Sequence, residues 1–86
     1  MRQEFERILG AELRYLALET RERLGMTQKE MGEELQMGES SYSELERGET
    51  ICASALTAIL LLKMQEAPDA FLIRVAKRLE KELQLV

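Results

Sequence analysis

Histidine and tryptophan are absent from this chain, cysteine and proline occur once each, and aromatic residues make up 5% of it. Without histidine there is no imidazole to activate a nucleophile and no Cys/His set to gather a metal. The lone Cys52 has no partner for an internal disulfide and reads as a small buried hydrophobe in a reducing cytoplasm. Long apolar runs are missing too. The longest, Ala58 to Leu62, is far shorter than the ~20 residues that cross a bilayer. The amino terminus alternates Arg and Glu instead of leading into an apolar block, so no signal peptide is expected. No phosphate-binding glycine loop and no nucleophile with a base can be assembled, so neither an enzyme nor a cofactor is expected.

What is present is a globular balance, with 45% hydrophobic and 33% charged residues. With five glycines, one proline and no β-branched runs, the composition points to an all-α fold. A chain of 86 residues allows one domain, 1–86, and at this size folding buries only a little over ~60% of the unfolded surface. The net charge of −4 is unevenly spread. Residues 1–26 hold five Arg against five Glu, whereas 27–50 hold Lys29 and Arg47 against seven Glu, a local balance of −5. Residues 51–70 add −1, and 71–86 return +2 through Arg74, Lys77, Arg78 and Lys81.

Helical periodicity runs from Met1 to Leu24 through Phe5, Leu9, Leu13, Leu16 or Ala17, and Leu24, as one helix or as two joined near Gly10. Thr27-Gln28-Lys29-Glu30 then reads as a capping box, with Met31 and Leu35 on one face of the helix it opens. Gly32 between them leaves room for another backbone to approach. A second short helix, Glu39 to Arg47, carries Tyr42 and Leu45, and Gly48 stands where a helix ends in a left-handed residue. A fourth helix is expected from Thr50 or Ser54 to about Gln65, with Ser54 the better cap. Its Leu56, Ile59, Leu60 and Lys63 form the face expected to cover the preceding helices, and Leu61, Leu62 and Met64 are apolar surplus. Ala67-Pro68-Asp69 ends it and starts a last amphipathic helix within 68–85. There Phe71, Leu72, Val75, Leu79 and Leu83 face one way, and the basic stripe Arg74, Lys77, Arg78 and Lys81 faces the other.

The segment from Thr27 to Gly48 resembles the helix-turn-helix of the phage-repressor and Cro family, often called Xre-like. The resemblance covers roughly residues 10–65 and rests on Arg21, Gly25, Thr27-Gln28, the apolar Met31, Leu35, Met37, Tyr42 and Leu45, and the closing Glu46-Arg47-Gly48. It implies a five-helix bundle of the lambda-repressor-like type, with 1–9 as a helical extension. Two positions depart from the family pattern: Gln36 stands where Gly usually makes the turn, and Gly38 where Ser or Thr usually caps the second helix.

The same resemblance implies roles. Arg21 would pair with Glu46 to lock the second helix of the motif against helix 1. Glu39, Ser40, Ser41 and Glu44 would face base edges, Gln28 and Arg47 would meet phosphate, and Lys29 would add the motif's other positive charge. DNA would then be bound by a homodimer joined through the surplus apolar surface, with reading helices ~34 Å apart. The stretch Ser54 to Leu72, hinged at Pro68, is also similar to that of antitoxins in the same superfamily, which implies a toxin as a second partner. Carboxylates facing the groove repel phosphates, and none of the four base-facing residues offers the bidentate contact of Arg to guanine or Gln to adenine. A second reading therefore stands beside the first: an acidic protein-interaction module on the same scaffold. The apolar surplus likewise has two destinations, a second copy or the amino-terminal extension and last helix of the same chain.

Overall fold

The computed structural model describes residues 2–49 and 55–84. Five helices follow one another: α1 (Arg2–Leu24), α2 (Gln28–Glu34), α3 (Glu39–Glu46), α4 (Ala55–Lys63) and α5 (Pro68–Leu83). The described residues form no strand, and none of their helices is long and apolar enough to cross a membrane. The caps expected at Thr50 or Ser54, and the burial expected of Cys52, lie outside the described residues.

Three of the helices end in the same turn, and the turns set the architecture. After α1 the Gly25 amide donates to Glu22 O and the Met26 amide to Arg21 O, with Gly25 at φ 66°. After α2 the Gln36 amide donates to Glu33 O and the Met37 amide to Gly32 O, with Gln36 at φ 57°. After α3 the Gly48 amide donates to Leu45 O and the Glu49 amide to Glu44 O, with Gly48 at φ 77°. Each pair closes two otherwise orphaned carbonyls in the Schellman arrangement, which needs one left-handed residue just past the helix. Gln36 supplies it without being glycine, at a cost of ~1 kcal/mol or more.

At the start of α2 the Thr27 hydroxyl accepts from the Glu30 amide at 3.1 Å, and the Glu30 carboxylate accepts from the Thr27 amide at 2.8 Å. That backbone bond, with the Thr27 hydroxyl, holds the Glu30 carboxyl below its ordinary value. Gly32 is where α2 and the following turn touch. A Cβ there would lie 2.9 Å from Met37 O and 3.3 Å from Gly38 O, so only hydrogen fits without a backbone shift.

Helix α1 is continuous through Gly10 and packs against α3, α4 and α5. The core joins Leu13, Leu16 and Ala17 of α1 to Met31, Leu35, Tyr42, Leu45, Leu61, Phe71 and Val75. Two corrections on α1 follow from its register. Leu9 and Leu24 lie exposed, while Ile8, one position before Leu9, and Thr20, one turn before Leu24, are buried. Thr20 is tolerated there because its hydroxyl accepts from Gln65 Nε2 at 2.9 Å.

The face expected of α4 is also corrected. Its main packing is against α1 rather than the helix-turn-helix, and Thr57 and Leu61 are its buried residues. Leu56 and Ile59, expected in the core, are 53% and 63% exposed. The segment is apolar on every side, so periodicity alone could not choose which face turns inward. On α5, Phe71 and Val75 are buried and Leu79 packs against the core, but Leu72 is 53% exposed. Pro68 starts this helix, and Gln84 ends it at φ 55°.

Two members of the basic stripe of α5 are engaged by the neighbouring helix. Glu12 of α1 accepts from Arg78 Nη1 at 2.7 Å and Arg74 Nη2 at 3.3 Å, and Arg78 also donates to Glu82 at 3.0 Å. Arg74 lies over the Phe71 ring, 5.4 Å from its centre. The two arginines therefore fasten α5 to the amino-terminal half of α1, and Lys77 and Lys81 are the exposed remainder.

Candidate nucleic-acid interface

Helices α2 and α3 pack together beside the turn that Gly32 approaches and are fixed to α1 by one carboxylate. Glu46, at the last turn of α3, accepts from Arg21 Nε at 2.5 Å, Arg21 Nη2 at 3.1 Å and Gln28 Nε2 at 2.9 Å. Arg21 also donates to Met26 O at 3.2 Å, and Arg14 Nε donates to Glu46 O at 2.8 Å. One acidic side chain thus gathers α1, the amino end of α2 and the carboxyl end of α3. The planar guanidinium suits this because its two N–H groups meet both carboxylate oxygens.

Electrostatics follow the geometry. Burial alone would raise the Glu46 carboxyl, but Arg21, together with Tyr42 and Gln28, outweighs it and holds Glu46 below the ordinary carboxylate range. The hydrogen bond to Glu46 raises the Arg21 guanidinium against the opposing effect of burial. Tyr42 is wholly buried beside this pair, and burial, with the Glu46 carboxylate, pushes its hydroxyl well above the usual phenol value. That hydroxyl is buried without a hydrogen-bond partner.

Of the residues expected to meet DNA, five share one shallow depression. It is lined by Gln28, Glu39, Ser40, Glu44 and Arg47, together with Ser43. Glu39 and Ser40 are exposed at the first turn of α3, and Glu44 is half-buried. Ser41 and Lys29 are exposed but line no part of it. Lys29 has no ion pair among the described residues. Ser43 escaped the sequence reading, although its position three after Ser40 and four before Arg47 places it on the same helical face.

Two of the expected phosphate contacts are already engaged. Gln28 gives one N–H of its amide to Glu46, which leaves one for any other acceptor. Arg47 donates from Nε and Nη2 to the two oxygens of Glu49, both at 3.0 Å, and from Nη1 to Ser43 Oγ at 2.5 Å. Glu49 raises the guanidinium, and Arg47 lowers the Glu49 carboxyl. Glu49 is a functional candidate that the sequence pattern did not offer, since residues two apart do not share a helical face.

The arrangement can present hydroxyls and carboxylates to a groove, with little free positive charge. Among the described residues no group of acidic or sulfur ligands could hold a metal ion. A helix-turn-helix family profile matches residues 18–64, a span that runs from the second half of α1 through α4. No significant match to this chain is found among curated proteins or solved structures.

Proposed function

Because this chain belongs to the Xre/lambda-repressor-like helix-turn-helix family of DNA-binding transcription regulators, we propose that it is a sequence-specific regulator acting in the cytoplasm as a homodimer, of the Cro/repressor or antitoxin kind. The family is not usually enzymatic. The carrying observation is the Arg21, Glu46 and Gln28 network, which fixes α3 at a set angle to α1 and α2 and turns Glu39, Ser40 and Ser41 outward at its first turn. A helix presented that way enters a major groove with its amino-terminal residues at base edges. Serine hydroxyls bond either kind of edge, and a glutamate accepts from cytosine N4. Arg47 and Lys29 supply the phosphate contacts, Gln28 adds its free N–H, and Glu44 sits at the inner margin of the contact.

The dimer is supported by what folding leaves uncovered. Leu56 and Ile59 on α4, and Leu72 and Ile73 on α5, are more than half exposed. Large apolar side chains left exposed on α4 and on α5 offer surface for a partner, and a second copy is the partner a palindromic site requires. The packing of α5 and the amino-terminal half of α1 against each other takes up part of the apolar surplus within one chain, and these four are among the large hydrophobic residues it leaves exposed.

One observation favours the second reading. With Arg47 closed on Glu49, the outer surface of α2 and α3 shows Glu33, Glu34 and Glu39 against Lys29, a cation with no ion pair among the described residues. Such a surface fits a basic protein segment, and in an antitoxin that segment would belong to the toxin. The two readings give opposite signs in one experiment. Changing Glu39 and Glu44 to Gln tightens duplex binding by a regulator and weakens capture of a basic partner by an interaction module. Selection from random duplex at low salt identifies the site used in the assay. Failure to enrich any sequence overturns the regulator, and sedimentation as a monomer at micromolar concentration overturns the dimer.

A further inference from the structure

The closing turn of α3 does more than end the helix. Its Gly48 and Glu49 amides are both held by α3 carbonyls, so the backbone of Glu49 is fixed relative to Arg47. The Glu49 side chain leaves that turn with both carboxylate oxygens against the guanidinium fork, while Ser43 takes the remaining donor edge. A DNA phosphate presents the same two-oxygen geometry to the same fork. Arg47 stands at the edge of the depression between α2 and α3, where the family premise puts the DNA backbone.

We propose that Glu49 is an intramolecular occupant of the phosphate seat on Arg47, so that its carboxylate competes with a backbone phosphate for the guanidinium and the wild-type complex carries only part of the Arg47 contact. The inference rests on the DNA-binding reading above and adds a regulatory contact to it. Both partners are more than half exposed, so the closed pair is weak enough to exchange. The exchange sets the number of phosphates the protein neutralises. With Glu49 in place the Arg47 contact forms at the expense of an existing ion pair, and it contributes less to affinity than a free arginine. Target recognition therefore depends more heavily on the α3 hydroxyls than the family scaffold alone implies.

The experiment compares wild type, Glu49→Gln and Glu33→Gln on the selected duplex across a range of salt. Glu33 is exposed on α2 and makes no ion pair among the described residues, so its variant removes the same charge without freeing an arginine. The expected result is that Glu49→Gln binds up to ~5-fold tighter at low salt, the range over which an exposed pair competes. Its plot of log affinity against log salt should steepen by up to ~0.9, the slope of one whole phosphate contact. Glu33→Gln should tighten binding without steepening the plot. Equal slopes for the two variants overturn the proposal, because they reduce Glu49 to bulk charge. A second readout does not need duplex: the Arg47 Nε–Hε resonance of 15N-labelled protein is followed while inorganic phosphate is added. It should move at lower phosphate in Glu49→Gln than in wild type, and identical titrations overturn the proposal. Absence of duplex binding in all three proteins counts against the DNA-binding reading, and the phosphate titration then decides the role of Glu49 alone.

Discussion

Replacing Arg21 with Met isolates the clamp on which the orientation of α3 depends. The Glu46 side chain is 8% exposed and that of Arg21 is 22% exposed. Removing the guanidinium leaves a nearly buried carboxylate with one neutral donor, Gln28. Breaking a buried pair from one side costs ~3 to 5 kcal/mol, and the open rim of Arg21 puts the expected loss near ~3 kcal/mol. A chain of this size has ~4 to 13 kcal/mol of total stability, so the loss is a large share of it and lowers the melting temperature by ~12 to 24 °C. The measurement is urea unfolding by far-UV circular dichroism at neutral pH on wild type, R21M and the double variant R21M/E46L. The double variant should recover most of the loss, because no uncompensated charge is left in the interior. An R21M protein within ~0.5 kcal/mol of wild type would show the pair to be no better than a surface contact and refute the reasoning. Acid sharpens the comparison. The folded Glu46 carboxyl lies below its ordinary value of 4.5, so its contribution is complete above that value and is lost as pH falls through the lower folded one. Wild type should therefore lose part of its advantage over R21M/E46L below about pH 4.5.

The turns and the docking of α5 give three more outcomes. Gly32→Ala should destabilise by ~1 to 3 kcal/mol in the same unfolding assay, because its Cβ would lie 2.9 Å from the Met37 carbonyl oxygen and backbone must move. Gln36→Gly should stabilise by ~0.5 to 1 kcal/mol, since it relieves a left-handed side-chain residue and returns part of the gain as unfolded-state entropy. A loss there would mean that the Gln36 side chain supports the turn. Glu12→Ala should speed hydrogen exchange of α5 amides while leaving those of α2 and α3 protected, because Glu12 is the acceptor for both Arg74 and Arg78. Uniform acceleration would place α5 inside a single cooperative unit instead.

What could be read from the sequence was local or carried by unlike charges. The capping box at Thr27 and Glu30, the left-handed Gly48 and the close approach at Gly32 each depend on a few neighbouring residues, and the structure places all three as expected, whereas the left-handed Gln36 was marked only by the family's usual Gly at that turn. The Arg21 to Glu46 contact was readable only through the family resemblance. Faces were harder. Helix α4 offers apolar residues all round, so its inward side is decided by packing on α1, and Leu56 and Ile59 turned out rather than in. The same logic exchanged Ile8 for Leu9 on α1. The attachment of Arg74 and Arg78 to Glu12 joins residues more than sixty positions apart, beyond the reach of any periodicity. Glu49 was missed for the opposite reason: it is close to Arg47 in sequence, but only the turn after α3 brings its carboxylate to the guanidinium.

Helix α1 runs unbroken for 23 residues, a rod of ~34 Å in a molecule whose longest extent is 40 Å. One end of that rod holds Arg21, and the other passes beneath α5. It is mechanically a lever: a tilt of ~10° about the Gly25 end carries the far tip through ~6 Å, given the rod's rigid 1.5 Å rise per residue. With no hinge in it, the rod joins the part seated under α5 to the guanidinium that aims the groove-facing helix as one continuous element.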